Sequence, residues 1–421
     1  MLLKTDANFR RYWSAAAISN LGDGIAALAF PWVASLFTRD PFLIALVASA
    51  TRLPWLLFSL AAGVITDRVD RRLLIFRADL ARVLIVLAVI GIISVSPALP
   101  LLDGDQNANW LIMLLTLTAF AYGTSEVFRD NAAQTALPQI VAKKDLEEAN
   151  SQLWSIEQIM GQFVGPPLAG FLIAISTPWP FVIDVLAFAL AAYLIWTVRM
   201  KPIDLAPKST SALAQLKEGF VWVKGHRTIF TLALMLACLN FVIFGSLSIL
   251  VLFGQEVLGL SASGYGFFLS VGAAGAILGA QVGPYVARKL KSKGTIIFAL
   301  ILISPCSLFL ALSNGAIIAS IMFGTMWAGG MIWNIITVSY RQRVIPGELL
   351  GRVNSIYRFF GWGAIPLGSL AAGLLVNWAE PELGRETALR LPFIAASIVA
   401  AVLIFVALAV LTFEPEKKDP A

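Results

Sequence analysis

Twelve times along this chain, a run of about twenty mostly apolar residues gives way to a short polar connection. A run of that length is what an α-helix needs to cross about 30 Å of hydrocarbon. No water reaches the interior of a bilayer, so each backbone N–H and C=O must be paired within the segment, and each run is predicted to be helical. The runs lie at about 12–36, 42–66, 76–98, 110–131, 151–175, 179–198, 228–254, 262–288, 294–313, 315–340, 355–378 and 389–412. Only 13% of the 421 residues are charged, against roughly 25% in soluble domains. That leaves too little polar material to cover a water-facing surface. The fold class predicted is an all-α membrane protein with twelve transmembrane helices, its bulk solvated by the lipid bilayer. The start, MLLKTDANFRRYW, has the basic flavour of a signal peptide. The apolar run behind it continues without a convincing cleavage site, which predicts a first span.

The connections alternate in charge. One set holds Arg68, Arg71 and Arg72; Lys143 and Lys144; Lys201, Lys208, Lys217 and Lys224; Arg288, Lys289, Lys291 and Lys293; and Arg341, Arg343 and Arg352. The other set has only Arg39, Arg385 and Arg390 as bases, and includes LLDGDQNAN and the acidic AEPELGRE. Positively charged loops stay in the cytoplasm, so the first set and both termini are predicted to be cytoplasmic. The net charge of +6 is then a matter of topology, and nucleic-acid binding is not implied.

The longest polar connection, 199–227, separates six spans from six. It contains Pro202, Pro207 and a Ser/Thr cluster, and SALAQLKEGFVWVKGH is predicted as an amphipathic surface helix. The only histidine, His226, reads as an interfacial residue. The two halves, 1–198 and 228–421, echo each other. LEEANS from Leu146 corresponds to LGRVNS from Leu350, and GPPLAG from Gly165 to GSLAAG from Gly368; Asn20 corresponds to Asn240, and Gly63 to Gly283. Duplicated six-helix halves are a transporter signature.

The stretch GVITDRVDRR, from Gly63 to Arg72, packs five charges into one turn between the second and third spans. Its pattern, Gly-x-x-x-Asp-Arg-x-x-Arg-Arg, resembles the signature loop of the major facilitator superfamily. The twelve spans, two halves and long central loop extend the resemblance over nearly the whole chain, and imply two pseudo-symmetric six-helix bundles. The resemblance also implies a cytoplasmic latch. Gly63 would let a neighbouring helix approach, Asp67 would accept from a helix N-terminus, and Arg68, Arg71 and Arg72 would bridge carboxylates. A plain topology signal accounts equally for Arg71 and Arg72. The equivalent stretch GPYVARKLK has Ala287 where Asp67 stands, so the latch is asymmetric.

The fifth span reads GQFVGPPLAG from Gly161. A close pattern in the superfamily marks exporters of the drug:proton antiporter type; this chain departs from it in the final residues. Gly161, Gly165 and Gly170 permit close helix contact, while Pro166 and Pro167 break the hydrogen-bond ladder, so a kinked hinge is predicted. SNLGDGI, TRLPW and DRVDRR together resemble the macrolide-efflux and enterobactin-exporter branch.

Charges at bilayer depth are costly and mark function by default. Asp23 and Arg52 are predicted to pair between the first two spans, either as a structural ion pair or as a proton or substrate-cation site. Glu126 and Glu157 lie deeper than Arg129 and Asp130 beside them and are the other coupling candidates. Asp79 with Arg82, and Asp184, read as scaffolding. Asn20, Asn240, Trp327, Trp333 and Asn334 are candidate cavity-lining residues. The sequence has no Gly-x-x-x-x-Gly-Lys-Ser/Thr loop and no His/Cys cluster, and Cys238 and Cys306 read as small core residues. No metal, cofactor or enzymatic activity is expected. The functional expectation is a monomeric secondary transporter of the bacterial inner membrane. It would export amphipathic small molecules (drug, macrolide or siderophore) against protons by alternating access. The alternatives are a proton- or ion-coupled nutrient importer and a non-transporting sensor or scaffold.

Overall fold

The computed structural model describes residues 2–66, 68–96, 99–101, 107–201 and 212–413. Asp67 of the signature loop and the Pro/Ser/Thr part of the central linker lie outside them. The described residues contain helices and turns and no strand. In chain order the helices are α1 (Leu2–Thr5), α2 (Ala7–Phe37), α3 (Pro41–Thr66), α4 (Arg71–Val95), α5 (Asn107–Ile140), α6 (Leu146–Glu157), α7 (Gly165–Ile175), α8 (Trp179–Thr197), α9 (Ala212–Gly225), α10 (Arg227–Ser248), α11 (Leu250–Leu252), α12 (Ala262–Leu312), α13 (Ala316–Val344), α14 (Gly347–Leu383) and α15 (Arg385–Val410). Two π-helical segments, Gln158–Val164 and Phe253–Val257, and a short 3-10 helix, Lys143–Asp145, complete the set.

Eleven continuous helical stretches among the described residues are long and apolar enough to cross a membrane. One of them, α12, is 51 residues long. At 1.5 Å per residue it would measure about 76 Å, more than twice the hydrocarbon thickness. It is in fact two helices meeting at Lys291, whose φ of 55° breaks the helical path. Counted this way, the twelve spans read from the sequence are present.

Contacts gather the chain into two compact units. The first comprises Met1–Pro207, Leu247–Ser270 and Ser369–Leu389; the second comprises Lys208–Ser246, Val271–Gly368 and Arg390–Ala421. In the first, α2 packs along α8 and the segment around α7, α3 along α5, and α4 along both α5 and α8. In the second, backbone crosses backbone where side chains are absent. A Cβ at Gly275 or Gly279 of α12 would run into the backbone of Gly324 or Ala328 in α13, and one at Gly368 of α14 into Phe241 of α10. Such small-residue crossings replace the hydrophobic effect as the packing device within lipid. The helix predicted in the linker exists as α9. Its Gly219 seats on Arg352 and Ile356 of α14, and Trp222 stacks on His226 with ring centroids 4.1 Å apart.

Candidate functional site

The residues of α4 that turn inward are Ile75, Ala78, Asp79, Arg82, Val86, Val89, Ile92 and Ile93, a set that follows the three- and four-residue spacing of a single helix face. Asp79 and Arg82 therefore stand on a stripe that apolar residues otherwise fill. Both side chains are fully buried (0% exposed), and Arg82 Nη2 bonds Asp79 Oδ1. Arg82 Nη1 donates to Asp23 Oδ1 of α2 at 2.7 Å, and Nη2 donates to Ser19 Oγ at 3.0 Å. Tyr122 Oη of α5 donates to the same Asp23 oxygen at 2.7 Å. Arg129 Nε lies 3.7 Å from Asp79 Oδ1, and Arg129 Nη1 donates to Asp130 at 3.2 Å. The result is a chain of alternating charge, Asp23–Arg82–Asp79–Arg129–Asp130, across α2, α4 and α5. The Arg82 guanidinium also lies 4.4 Å over the Phe188 ring of α8. Gly22 leaves room for that ring, since a Cβ there would stand 2.7 Å from Phe188 Cζ.

The chain of charges is open to its surroundings at one end. Asp23 is 21% exposed whereas Arg82 and Asp79 are sealed. A proton added at Asp23 would leave Arg82 still matched by Asp79, so the guanidinium is never stranded without a counter-charge.

The Asp23–Arg52 pair expected from the sequence does not form. Because α3 packs mainly along α5 and only lightly against α2, Arg52 Nη1 instead meets Glu126 Oε1 at 3.6 Å. Gly123 sets that register, since any side chain there would collide with the Thr51 carbonyl. Glu157, the last residue of α6, is exposed.

The fifth-span motif lies against the first span. Gly161 and Gly165 both face Gly24 of α2; a Cβ on Gly165 would stand 2.6 Å from Gly24 Cα. Farther along, Gly170 abuts Ala262, and Gly266 of α12 abuts the Pro166 carbonyl. The two prolines have no N–H to offer the turn before them. That turn is π-helical, Gln158–Val164, and Ser270 Oγ donates to the Phe163 carbonyl at 3.1 Å. The expected break is thus a widened turn whose loose carbonyl is satisfied from α12.

In the signature loop, Asp70 caps α4 by accepting from Leu73 N at 3.1 Å. Arg72 lies 5.3 Å over the Trp196 ring of α8, and Nη1 reaches the Val198 carbonyl at 3.5 Å. Arg71 Nη1 bonds the Gln139 side chain. Among the described contacts, these two arginines bind carbonyl and amide oxygens and a ring, near helix C-termini where the dipole favours cations. Among the described residues, nothing stands within 4 Å of a Cβ built at Gly63. Arg68 is exposed.

Among the candidate lining residues, Asn20 donates to Ala16 O of its own helix at 2.8 Å, and Asn240 donates to Gly361 O at 2.9 Å. Trp327 meets Phe323 and Phe244 edge-on at 6.2 and 6.4 Å. Trp333 is buried and Asn334 exposed. The indole N–H groups of Trp327 and Trp333 have no partner.

Sequence reasoning missed two polar groupings. Arg341, counted there as a loop base, is buried; it lies 3.7 Å over the Tyr357 ring and donates to Asn354 Oδ1 at 2.8 Å. At the α2–α3 turn, Arg385 donates to Glu256 at 2.9 Å, to Glu380 at 2.9 Å and to the Arg39 carbonyl at 2.6 Å. Arg39 lies 3.6 Å from Glu256, and Asn377 donates to Asp40 at 2.9 Å. Together they line an open recess of about 1020 Å³. The sequence carried a signal for it, since Arg39 and Arg385 are bases in loops otherwise poor in them.

The chain matches the family model described as "Transmembrane secretion effector" over residues 3–421. It is 26% identical over 401 residues to the multidrug efflux pump Tap of Mycolicibacterium fortuitum, covering 92% of this chain and 93% of that protein. It is 22% identical to macrolide efflux protein A of Streptococcus pyogenes, covering 88% and 89%. Among solved structures, a bacterial homologue of the iron transporter ferroportin in its inward-facing state superposes with a TM-score of 0.74 at 17% identity, covering 97% of this chain and 100% of that one. A bacterial homologue of the lysosomal transporter Spinster gives 0.73 at 16% identity, covering 95% and 96%. The fold, the full-length family match and the efflux-pump relatives make this chain a membrane transporter of small molecules, a member of the transmembrane secretion effector family within the major facilitator superfamily.

Proposed function

We propose that this transporter exports amphipathic small molecules, of the drug, macrolide or siderophore kind, from the bacterial cytoplasm in exchange for protons. The observation that carries the proposal is Asp23. It is a partly exposed carboxylate in the middle of α2, held by Arg82 and Tyr122 and backed by a sealed second carboxylate, Asp79. An antiporter needs a group that holds a proton when substrate is absent and releases it when substrate arrives. Asp23 meets that need at low cost, because Arg82 keeps Asp79 when Asp23 is neutral. The Glu126–Arg52 pair is the second candidate for the same role, and Glu157 the third. The names of the relatives, a multidrug efflux pump and a macrolide efflux protein, favour export over uptake.

In this reading the chain works as a monomer with both termini in the cytoplasm, and the six-span halves 1–198 and 228–421 rock about a central site. The fifth-span glycines and prolines supply the hinge. Gly63, Asp67 and Arg68, with Arg71 and Arg72, latch the cytoplasmic end, while Asn20, Asn240, Trp327, Trp333 and Asn334 face the substrate.

The test uses proteoliposomes with an imposed pH gradient, loaded in turn with erythromycin and ethidium. Wild-type protein moves at least one of them uphill. Asp23→Asn, fixed in the neutral form, loses uphill movement but keeps downhill exchange. Uphill export by Asp23→Asn at the wild-type rate transfers the role to Glu126. Movement indifferent to the gradient refutes proton coupling.

A further inference from the structure

Asp184 of α8 is a buried carboxyl that the charge chain does not use. It is fully buried, and neither of its oxygens accepts a hydrogen bond. Phe181, Asp184 and Phe188 follow one another at three and four residues, so they share a face of α8. That face looks into the charge chain. Phe181 packs edge-on against Phe30 of α2 at 5.7 Å, and Phe188 lies under the Arg82 guanidinium and 5.9 Å from the Tyr122 ring.

The elements packed against α8 present few other groups to it. From α2 comes Asp23, from α4 Asp79 and Arg82, and from α5 Tyr122; α7 carries no titratable residue. Arg82, for its part, has a donor to spare, since its Nε is buried without a partner. An unused donor and two unused acceptors in one sealed compartment are two halves of a bond that this conformation does not make. A bare carboxylate with neither oxygen bonded is too costly to bury, whereas a neutral acid is tolerable. Asp23 already takes the Nη1 donor, and Asp79 the Nη2 donor.

We infer that Asp184 is a second proton-carrying carboxyl of this centre, and that Arg82 passes from Asp23 to Asp184 when the proton passes from Asp184 to Asp23. The inference rests on the proton-exchange reading of Asp23. In the step, the O–H bond of Asp184 breaks and an O–H bond forms on Asp23. The electron pair left on Asp184 receives the guanidinium, and the net charge of the cluster is unchanged. Asp23, the exposed member, is the port at which the proton meets water or substrate. Asp184, the sealed member, is the store, and Arg82 keeps one carboxylate charged at a time beside Asp79.

The experiment compares wild type, Asp184→Asn and Asp184→Glu in lipid by two readouts. The first is the infrared difference spectrum across a pH step, which reports the C=O stretch of a protonated carboxyl. Wild type shows such bands, and Asp184→Asn loses the component that Asp184 contributes while keeping that of Asp23. The second is ethidium export driven by a pH gradient. Asp184→Asn binds ethidium and exchanges it downhill, but its uphill export falls at least about tenfold, the factor that one pKa unit represents. Asp184→Glu restores export with a displaced pH profile. A carboxyl that only fills space is matched by its neutral isostere, so Asp184→Asn exporting uphill with the wild-type pH profile overturns the inference and leaves Asp23 standing. An unshifted profile in Asp184→Glu overturns it as well, even if Asp184→Asn fails to fold. Wild-type export that ignores the gradient refutes the coupling reading and the inference together.

Discussion

Arg82 holds the charge chain together, and its removal has a calculable consequence. Arg82→Met keeps most of the side-chain volume and deletes the guanidinium. Asp79 then loses its nearest partner while having no exposed surface, and only Arg129 remains, 3.7 Å away. Breaking a buried ion pair from one side costs about 3–5 kcal/mol, because the stranded charge keeps its desolvation penalty. Asp79→Asn alone is milder: Arg82 retains Asp23 at 2.7 Å, and the loss is about 1–3 kcal/mol, the cost of a weakened buried bond. In the double variant neither charge is stranded at Asp79, and water relieves Asp23, which is 21% exposed. The double variant should lie within about 2 kcal/mol of wild type, since replacing a buried pair outright is close to neutral. The two single losses sum to about 4–8 kcal/mol, so a coupling of about 2 kcal/mol or more is expected. Reversible unfolding in mixed detergent, read by tryptophan fluorescence for all four proteins, measures it. Losses that add to within about 0.5 kcal/mol would show that Arg82 and Asp79 do not act as a pair, and the charge chain would lose its centre.

Gly24→Val should destabilise the protein by about 1–3 kcal/mol or prevent folding, because its Cβ would enter the Gly161 backbone. Gly63→Ala, facing open space here, should leave thermal stability unchanged; if its transport also equals wild type, Gly63 has no part in a latch. For topology, a cysteine at Arg288 should escape an impermeant thiol reagent in intact cells while one at Glu382 reacts, and the reverse pattern inverts the proposed orientation. Arg385→Gln should lower stability by no more than about 1 kcal/mol per ion pair lost, since the paired side chains are roughly a third exposed; a much larger loss in the same unfolding assay would mean that the recess is drier than its exposure indicates.

The spans were legible in the sequence because each is a one-dimensional property, a run long enough to cross a bilayer. The tight crossing of the first and fifth spans was half legible. Gly161 and Gly165 announced close packing, but nothing local named Gly24 as the surface they meet. Pro166 and Pro167 announced a break in the ladder. The form it takes, a π-helical turn with Ser270 supplying the bond, depends on a residue 107 positions away. The polar centre was misread for the same reason. Asp79 and Arg82 are plainly three residues apart, yet their depth follows from α4 being wedged between α5 and α8. Arg52 was paired with Asp23 because consecutive spans were taken as neighbours, when α3 lies along α5. Their position on the stripe Ile75–Asp79–Arg82–Val86–Val89–Ile93 was available at the start, and it is the pattern by which such buried charges can be found in other chains.

The two halves of the sequence differ in the chemistry they can perform. Within the second six spans there is no Asp or Glu from Val257 to Gly347, from Leu349 to Ala379, or from Thr387 to Phe413. The acids that remain, Glu256, Glu348, Glu380, Glu382 and Glu386, stand at helix ends. Arg341, a buried base of that half, lies over the Tyr357 ring and donates to Asn354. The first half, by contrast, holds Asp23, Asp79, Glu126, Asp130, Glu157 and Asp184 within its spans. A proton crossing the hydrocarbon needs a side chain that takes it up and gives it back near neutral pH, and Asp, Glu and His are the residues suited to that. The only histidine, His226, sits at the start of α10. Proton exchange is therefore expected to be confined to α2–α8, with the second half contributing apolar and aromatic surface such as Trp327. Neutral amides at Glu256, Glu348, Glu380, Glu382 and Glu386 together should leave the pH-gradient dependence of export intact, even if the turnover rate changes with the loss of the Arg385 contacts. Loss of gradient dependence in that variant, with binding of ethidium retained, would move the proton path out of the first half and remove Asp23 from its proposed role.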